Sequence, residues 1–328
     1  MSSSLGLSPR ERWQRVLEGA DVDRQPWALW RHLPELDFCP EFAAAQIREW
    51  TRAGYDLGKI NFRSTFCLRD HGVKDRFAGD YLGRPQILYR PVSQPADWYR
   101  LQVLDVKGGV LGACREMAER ILHDAPSSLP ILVPVFSPLS QAMDLAGPQW
   151  DRHGREAPQA VLDGLAALTA STEAWMKSFS GTRIDGWFYI VKEAADANLP
   201  SELAHAGHAA NRRLLAAHPH WLDTLHVHGT VGDFSPYLSY PATILHWDPA
   251  RSGITRQAVA DSFPGIAADG ISWPEGADSM TLGTSVKKWL KSAGSRSMLS
   301  AECVIPYRTP WPVVDSIRAQ VERNRVPS

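Results

Sequence analysis

Residues 222–230 read LDTLHVHGT, an apolar run that carries two imidazoles two places apart. Side chains on a strand alternate between faces, so His226 and His228 share one face while Leu225 and Val227 take the other. Upstream lies SELAHAGHAANRRLLAAH (201–218), with the length and composition of a helix; downstream comes a second apolar run, ATILHW (242–247). The pattern repeats outward. Strand-like runs occur at PWALW (26–30), LGKINF (57–62), ILVPVF (131–136), IDGWFYI (184–190), GIAADGI (265–271) and RSMLSAEC (296–303). Most are separated by helix-like stretches: EFAAAQIREWTRAG, PLSQAMDLAG, QAVLDGLAALTASTEAWMKSF, GITRQAVADSF and SVKKWLKSAG. Eight strands alternating with helices predict an α/β fold, a single (β/α)8 TIM barrel.

The stretch from 63 to 130 is longer than one crossover needs. GDYLGRPQILYRPV within it predicts a hairpin inserted between strands 2 and 3, followed by a helix over about 109–123. At the start, SPRERWQRVLEG carries Ser8 as a helix cap, Pro9 in the first turn, Glu11 three residues after the cap and Gly19 at the exit. Residues 1–328 are expected to form one domain, with 1–7 and 323–328 frayed because neither end can bury much.

With 44% hydrophobic and 22% charged residues among 328, the chain has material for a large core, and disorder is excluded. A net charge of -1 provides no basic field for nucleic acid or an anionic membrane, so a small-molecule partner is expected. No apolar run approaches a membrane span. Cys39, Cys67, Cys114 and Cys303 are far apart, without paired spacing or an apolar leader before them. Reduced thiols in a cytoplasmic protein are the expectation. The thirteen tryptophans are read as core and cleft lining.

In barrels of this kind the working residues lie at the C-terminal ends of the strands and in the loops beyond. That rule selects Arg31 and His32 after the first strand, Asn61 after the second, Ser137 and Gln141 after the third, and Tyr189, Lys192 and Glu193 at the fourth. It adds His226 and His228 on the fifth, Asp248 after the sixth and Cys303 after the eighth. Two neutral imidazoles and one thiolate make a three-ligand site with a coordination position left open, the pattern of catalytic zinc. Each residue also has a plainer reading. The histidines could be hydrogen-bonded interior groups, Cys303 an inert small hydrophobe, Asp248 a helix cap, Arg31 a partner of Glu35 or Asp37, and Tyr189 a cleft-lining aromatic.

Six stretches together carry a resemblance: SPRERWQRVLEGADVDRQPWAL, WRHLPEL, PVSQPADWYRL, VFSPLSQAMDLAG, LHVHGT and AECVIPYRTPWPVV. By these the chain resembles the uroporphyrinogen decarboxylase superfamily, which includes the decarboxylase of haem synthesis and zinc-dependent methyltransferases that move methyl groups between corrinoid proteins and thiols. The decarboxylase proper has Met-Arg-Gln-Ala-Gly-Arg-Tyr-Leu-Pro-Glu at its first strand; ALWRHLPE keeps Arg31, Leu33, Pro34 and Glu35 but lacks the earlier arginine. Its pyrrole-directed aspartate has no counterpart in NFRSTFCL. The methyltransferases carry His-x-Cys on the fifth strand and a distant Cys near the eighth. Matched to them, His226 takes the place of the His, His228 of the first Cys and Cys303 of the second.

The resemblance therefore implies zinc or another divalent metal on His226, His228 and Cys303, activating a small thiol or other nucleophile for methyl or alkyl transfer. Asp248 and Tyr189 are the expected catalytic groups, and Arg31, His32, Asn61, Ser137, Gln141, Lys192 and Glu193 the expected substrate contacts. Any corrinoid would arrive on a partner protein. Two other readings stay open: metal-assisted decarboxylase or lyase chemistry on a small carboxylate anchored by Arg31, and a binding protein on the same barrel that has lost catalysis.

Overall fold

Apolar and β-branched runs pair wherever a neighbouring run can bury their inner face, and here the pairing is parallel along the whole main sheet. The structure, a computed structural model, describes residues 6–324. Its strands are β1 Gly58–Lys59, β2 Lys74–Phe77, β3 Pro85–Tyr89, β4 Ile131–Phe136, β5 Gly186–Val191, β6 Thr224–Val227, β7 Ile244–Trp247, β8 Ile266–Ile271 and β9 Ser300–Ala301. Seven of them form one sheet in the order β1-β4-β5-β6-β7-β8-β9. The eighth expected run, PWALW, contributes one parallel bridge, Trp27 to Leu299, and Asp56 N donates to Trp27 O at 2.9 Å on its other side. The β1 ladder is short because Asn61 N, next after Ile60, bonds the Gln46 side chain at 3.0 Å in place of backbone.

Helices cover the sheet near where the sequence placed them: Phe42–Ala53, Pro138–Ala146, Pro158–Lys177, Ser201–Ala217 and Arg256–Ser262, with the last, Ser279–Ser292, beginning six residues before SVKKWLKSAG. The first helix, Pro9–Glu18, has its Ser8–Glu11 capping box, Pro9 in the first turn and Gly19 in the left-handed region. β2 and β3 pair antiparallel, ahead of the helix Gly109–Asp124. The expected hairpin is thus shifted. GDYLGR forms its turn rather than a strand, because Asp80 Oδ1 accepts from Leu82 N and Arg84 N. Gly83, at φ 80°, lets that turn close onto His32, whose Cβ would stand 2.9 Å from any side-chain carbon there.

At the opposite end of the sheet three aspartates accept backbone N–H groups from adjoining segments. Asp56 takes Trp27 N at 3.0 Å, Asp185 takes Ile131 N at 2.9 Å and Asp223 takes Trp187 N at 2.9 Å. Asp56 also binds Arg12 and Arg24, tying the first helix to the sheet. One continuous cluster of buried apolar side chains runs from Trp13 to Val321. Of the ends expected to fray, 1–5 and 325–328 lie outside the described residues; Leu7 O accepts from Arg12, and Arg323 closes the helix Trp311–Arg323. Among the described residues no helix is long and apolar enough to cross a membrane, and all four cysteines are free thiols.

Candidate metal centre

Register decides which side chains meet. Ile190, His226, His246 and Ala268 stand side by side across β5, β6, β7 and β8, and neighbouring residues of a parallel sheet share a face. His228 follows at the end of β6, its N–H still bonded to Val191 O at 3.0 Å. Cys303 comes two residues after β9, where Glu302 N donates to Ile271 O at 3.3 Å. Only a glycine at 270 permits this approach, since a Cβ there would collide with Glu302 N and Cα. One ligand atom from each of His226, His228 and Cys303 lies within 4.8 Å of the others.

Protonation is fixed by hydrogen bonds from the wall inward. His246 Nε2 lies 2.9 Å from Ala301 O, a carbonyl that only accepts, so Nε2 carries the proton. Burial pushes the His246 pKa down to about 3, which leaves Nδ1 bare and able to accept from His226 Nδ1–H at 2.7 Å. His226 therefore presents an Nε2 lone pair. That atom is 3.3 Å from His228 Nδ1. Two imidazole nitrogens that share one tetrahedral ion, at bonds of about 2.0–2.1 Å, stand about 3.3 Å apart. Without an ion the two rings can share one proton donated by His228 Nδ1; with it moved to the far nitrogen, two lone pairs face one point.

Burial also pushes His226 well below its ordinary value and His228 to about 4, with Lys192 and Arg251 adding to the effect on His228. Both rings are neutral at pH 7 and could serve as ligands. Burial raises the Cys303 thiol while the Lys59 ammonium pulls it back. The donor set, two neutral nitrogens and a sulfur that loses its proton on binding, suits zinc and its divalent neighbours.

His226, His228 and Cys303 line a cavity of about 170 Å³. Its walls include His32, Asn61, Pro134, Phe136, Phe188 and Ile190, and its charged residues are Lys59, Arg84, Lys192, Arg251, Asp248 and Glu302. Lys59, 5% exposed, has its Nζ 4.3 Å from the Phe188 ring centre and 5.2 Å from that of Trp30. Burial lowers its pKa to about 8, which leaves it mostly charged at neutral pH.

No family model matches the sequence, and no curated protein matches it. By structure, the chain is similar to a methyltransferase from Methanosarcina mazei, with a TM-score of 0.80 and 14% identity over 97% of this chain and 99% of that one. It is also similar to a B12-independent methionine synthase from Shewanella sp. W3-18-1, solved with selenomethionine, at TM-score 0.56 and 12% identity over 92% and 94%. A putative B12-independent methionine synthase from Listeria monocytogenes follows at 0.50 and 12%, over 87% and 85%. At 12–14% identity these likenesses are of fold: the chain shares the architecture of a methyltransferase and of B12-independent methionine synthases.

Where the superfamily's methyltransferases are expected to carry His-x-Cys, the inward positions of this sheet carry His-x-His, with His246 as a third imidazole behind them. Sequence reading passed over His246 and Lys59. TLHV and ILHW, with a His at the same place in neighbouring strands, signalled the first; a lysine inside the apolar run LGKINF signalled the second.

The other expected site residues divide. His32, Asn61, Lys192 and Asp248 line the cavity. Asp248 also caps the turn that follows, accepting from Ala250 N and Arg251 N, and Lys192 is paired with Asp144. Arg31, Ser137, Gln141, Tyr189 and Glu193 are outside the cavity, against the expectation. Arg31 is held by Glu49 and Thr309 O and lies over Trp311. Tyr189 points outward from β5, where its hydroxyl donates to Asn211 Oδ1 at 2.8 Å. Glu193 gathers Ser137, Ser140 and Asn211 in a buried network, and Gln141 donates to Phe136 O and Thr172. For Tyr189 the cause is strand parity: in GWFYIV, Phe188 and Ile190 face inward and Tyr189 outward, a choice that an all-apolar run does not reveal.

Proposed function

We propose that this chain is a metal-dependent transferase of the uroporphyrinogen decarboxylase superfamily, in which a small thiol or other nucleophile accepts a methyl or alkyl group at the C-terminal mouth of a one-domain barrel. The barrel would close to eight strands through the Trp27–Leu299 bridge. One observation carries the reading: His226, His228 and Cys303 converge within 4.8 Å, and the hydrogen bonds behind His226 turn its lone pair toward the other two.

A divalent ion on these ligands supplies Lewis acidity that lowers the pKa of a nearby thiol or water. The chain's own groups do the rest. His246 holds His226 in the ligating tautomer, and Phe188, Phe136 and Pro134 keep the nucleophile's surroundings dry. Asp248, at the wall, is the carboxylate placed for proton transfer. The names of the structurally similar proteins favour transfer over lyase chemistry, and Arg31, the anchor on which the lyase reading depended, is engaged elsewhere. Cytoplasmic residence and a corrinoid brought by a partner protein go with this reading.

Elemental analysis of protein purified without chelators tests it. About one zinc or other divalent ion per chain is expected, with near-complete loss in His228→Ala and Cys303→Ala. A metal-free wild-type protein that takes up no added zinc would refute the reading.

A further inference from the structure

We propose that the cavity selects small organic anions and that Lys59 is the selecting residue, pairing with the ligand's acid group while the rest of the molecule reaches toward His226, His228 and Cys303. The thiol end of such a ligand rests on the function proposed above; the acid end does not.

Lys59 pairs in register with Leu132, two residues before the cavity-lining Pro134, and its stem carries the ammonium up to the Phe188 ring. The other cations of the cavity already have carboxylates. Arg84 has Asp80 at 2.9 Å, Lys192 has Asp144 at 2.6 Å and Arg251 has Asp248 at 3.2 Å. Among the described residues no carboxylate lies within ion-pair distance of Lys59. Two aromatic faces offset part of its lost hydration but offer no hydrogen-bond acceptor of full strength.

A purely structural side chain at this place would be apolar, like Leu132 beside it, because an unpaired buried ammonium opposes folding. An incoming acid supplies the missing counter-charge. His32 Nδ1, on a residue that also lines the cavity, is buried without a hydrogen-bond partner. A neutral ligand of the same shape leaves Lys59 unpaired, and that difference makes the site selective.

Three probes titrated into the full-length protein by calorimetry test this: propionate, 3-mercaptopropionate and 3-mercaptopropan-1-ol. Wild type is expected to bind 3-mercaptopropionate at least about tenfold more tightly than the alcohol. Lys59→Met should erase that preference while its thermal midpoint stays equal or rises, which separates a lost counter-charge from a lost fold. Equal binding of acid and alcohol by wild type, a preference that survives Lys59→Met, or no binding at all would overturn the proposal. If the two acids bind equally well and better than the alcohol, Lys59 selection stands and the thiol reading falls. If both thiols bind alike and propionate does not, the reverse holds.

Discussion

At the scale of single residues, the orientation of His226 depends on a side chain that stands behind it and offers nothing to the candidate metal position itself. His246 is wedged between Ala301 O and His226 Nδ1, with Trp30 and Phe188 packed against its ring. Replacing it by Phe keeps that packing and removes the relay. Metal affinity of His246→Phe should fall about 10–100-fold in a chelator competition, with the circular dichroism spectrum unchanged. An affinity equal to wild type would mean that the tautomer is set some other way. His226 and His228 could be read as a pair from one strand's alternation. His246 could not, because its role depends on β6 and β7 pairing with these two histidines in register. Lys59 was hidden for a related reason: a sequence shows a lysine, but not whether a carboxylate waits across the sheet.

At the scale of elements, the segment after β9 delivers Cys303 only because β8 leaves room for it. Gly270→Ala forces a Cβ into the Glu302 backbone, so either β8 or the following loop must move. The expected loss is on the order of 1–3 kcal/mol by denaturant unfolding. Metal content should fall as well, since Cys303 is the next residue along. A variant that keeps full stability and full metal would show that the close approach positions nothing. Helices with clear end signals were legible nearly to the residue, as in SPRERWQRVLEG, because caps, prolines and glycines act within one turn; Ser279–Ser292 was read six residues too late, and Trp150–Glu156 and Trp311–Arg323 were not read. Strands that keep one face apolar and one polar could be oriented by eye. ILVPVF and GWFYIV, buried on both faces, could not, and that misplaced Tyr189.

For the whole molecule, one of the aspartates at the far end of the sheet, Asp223, connects stability to pH. Asp223 accepts from Trp187 N at 2.9 Å and His220 N at 2.8 Å, yet burial raises its pKa from 3.8 to about 7. The folded state then holds this proton where the unfolded chain has lost it. The resulting stabilisation is complete below about pH 4 and is lost as pH rises through about 7. Asp223→Asn stays uncharged, so its thermal midpoint relative to wild type should improve from pH 4.5 to pH 8; a constant difference would contradict the assignment. By itself the sequence determined the alternation of strand and helix, the elements' approximate bounds, and the His-x-His and Cys pattern, all of which follow from local periodicity, capping and motif. Only the tertiary structure decided which face of each buried strand looks inward, that His246 stands behind His226, and that Lys59 has no carboxylate partner among the described residues. Those depend on register between segments far apart in the chain, and register is set by how the strands and helices pack together, not by any one of them.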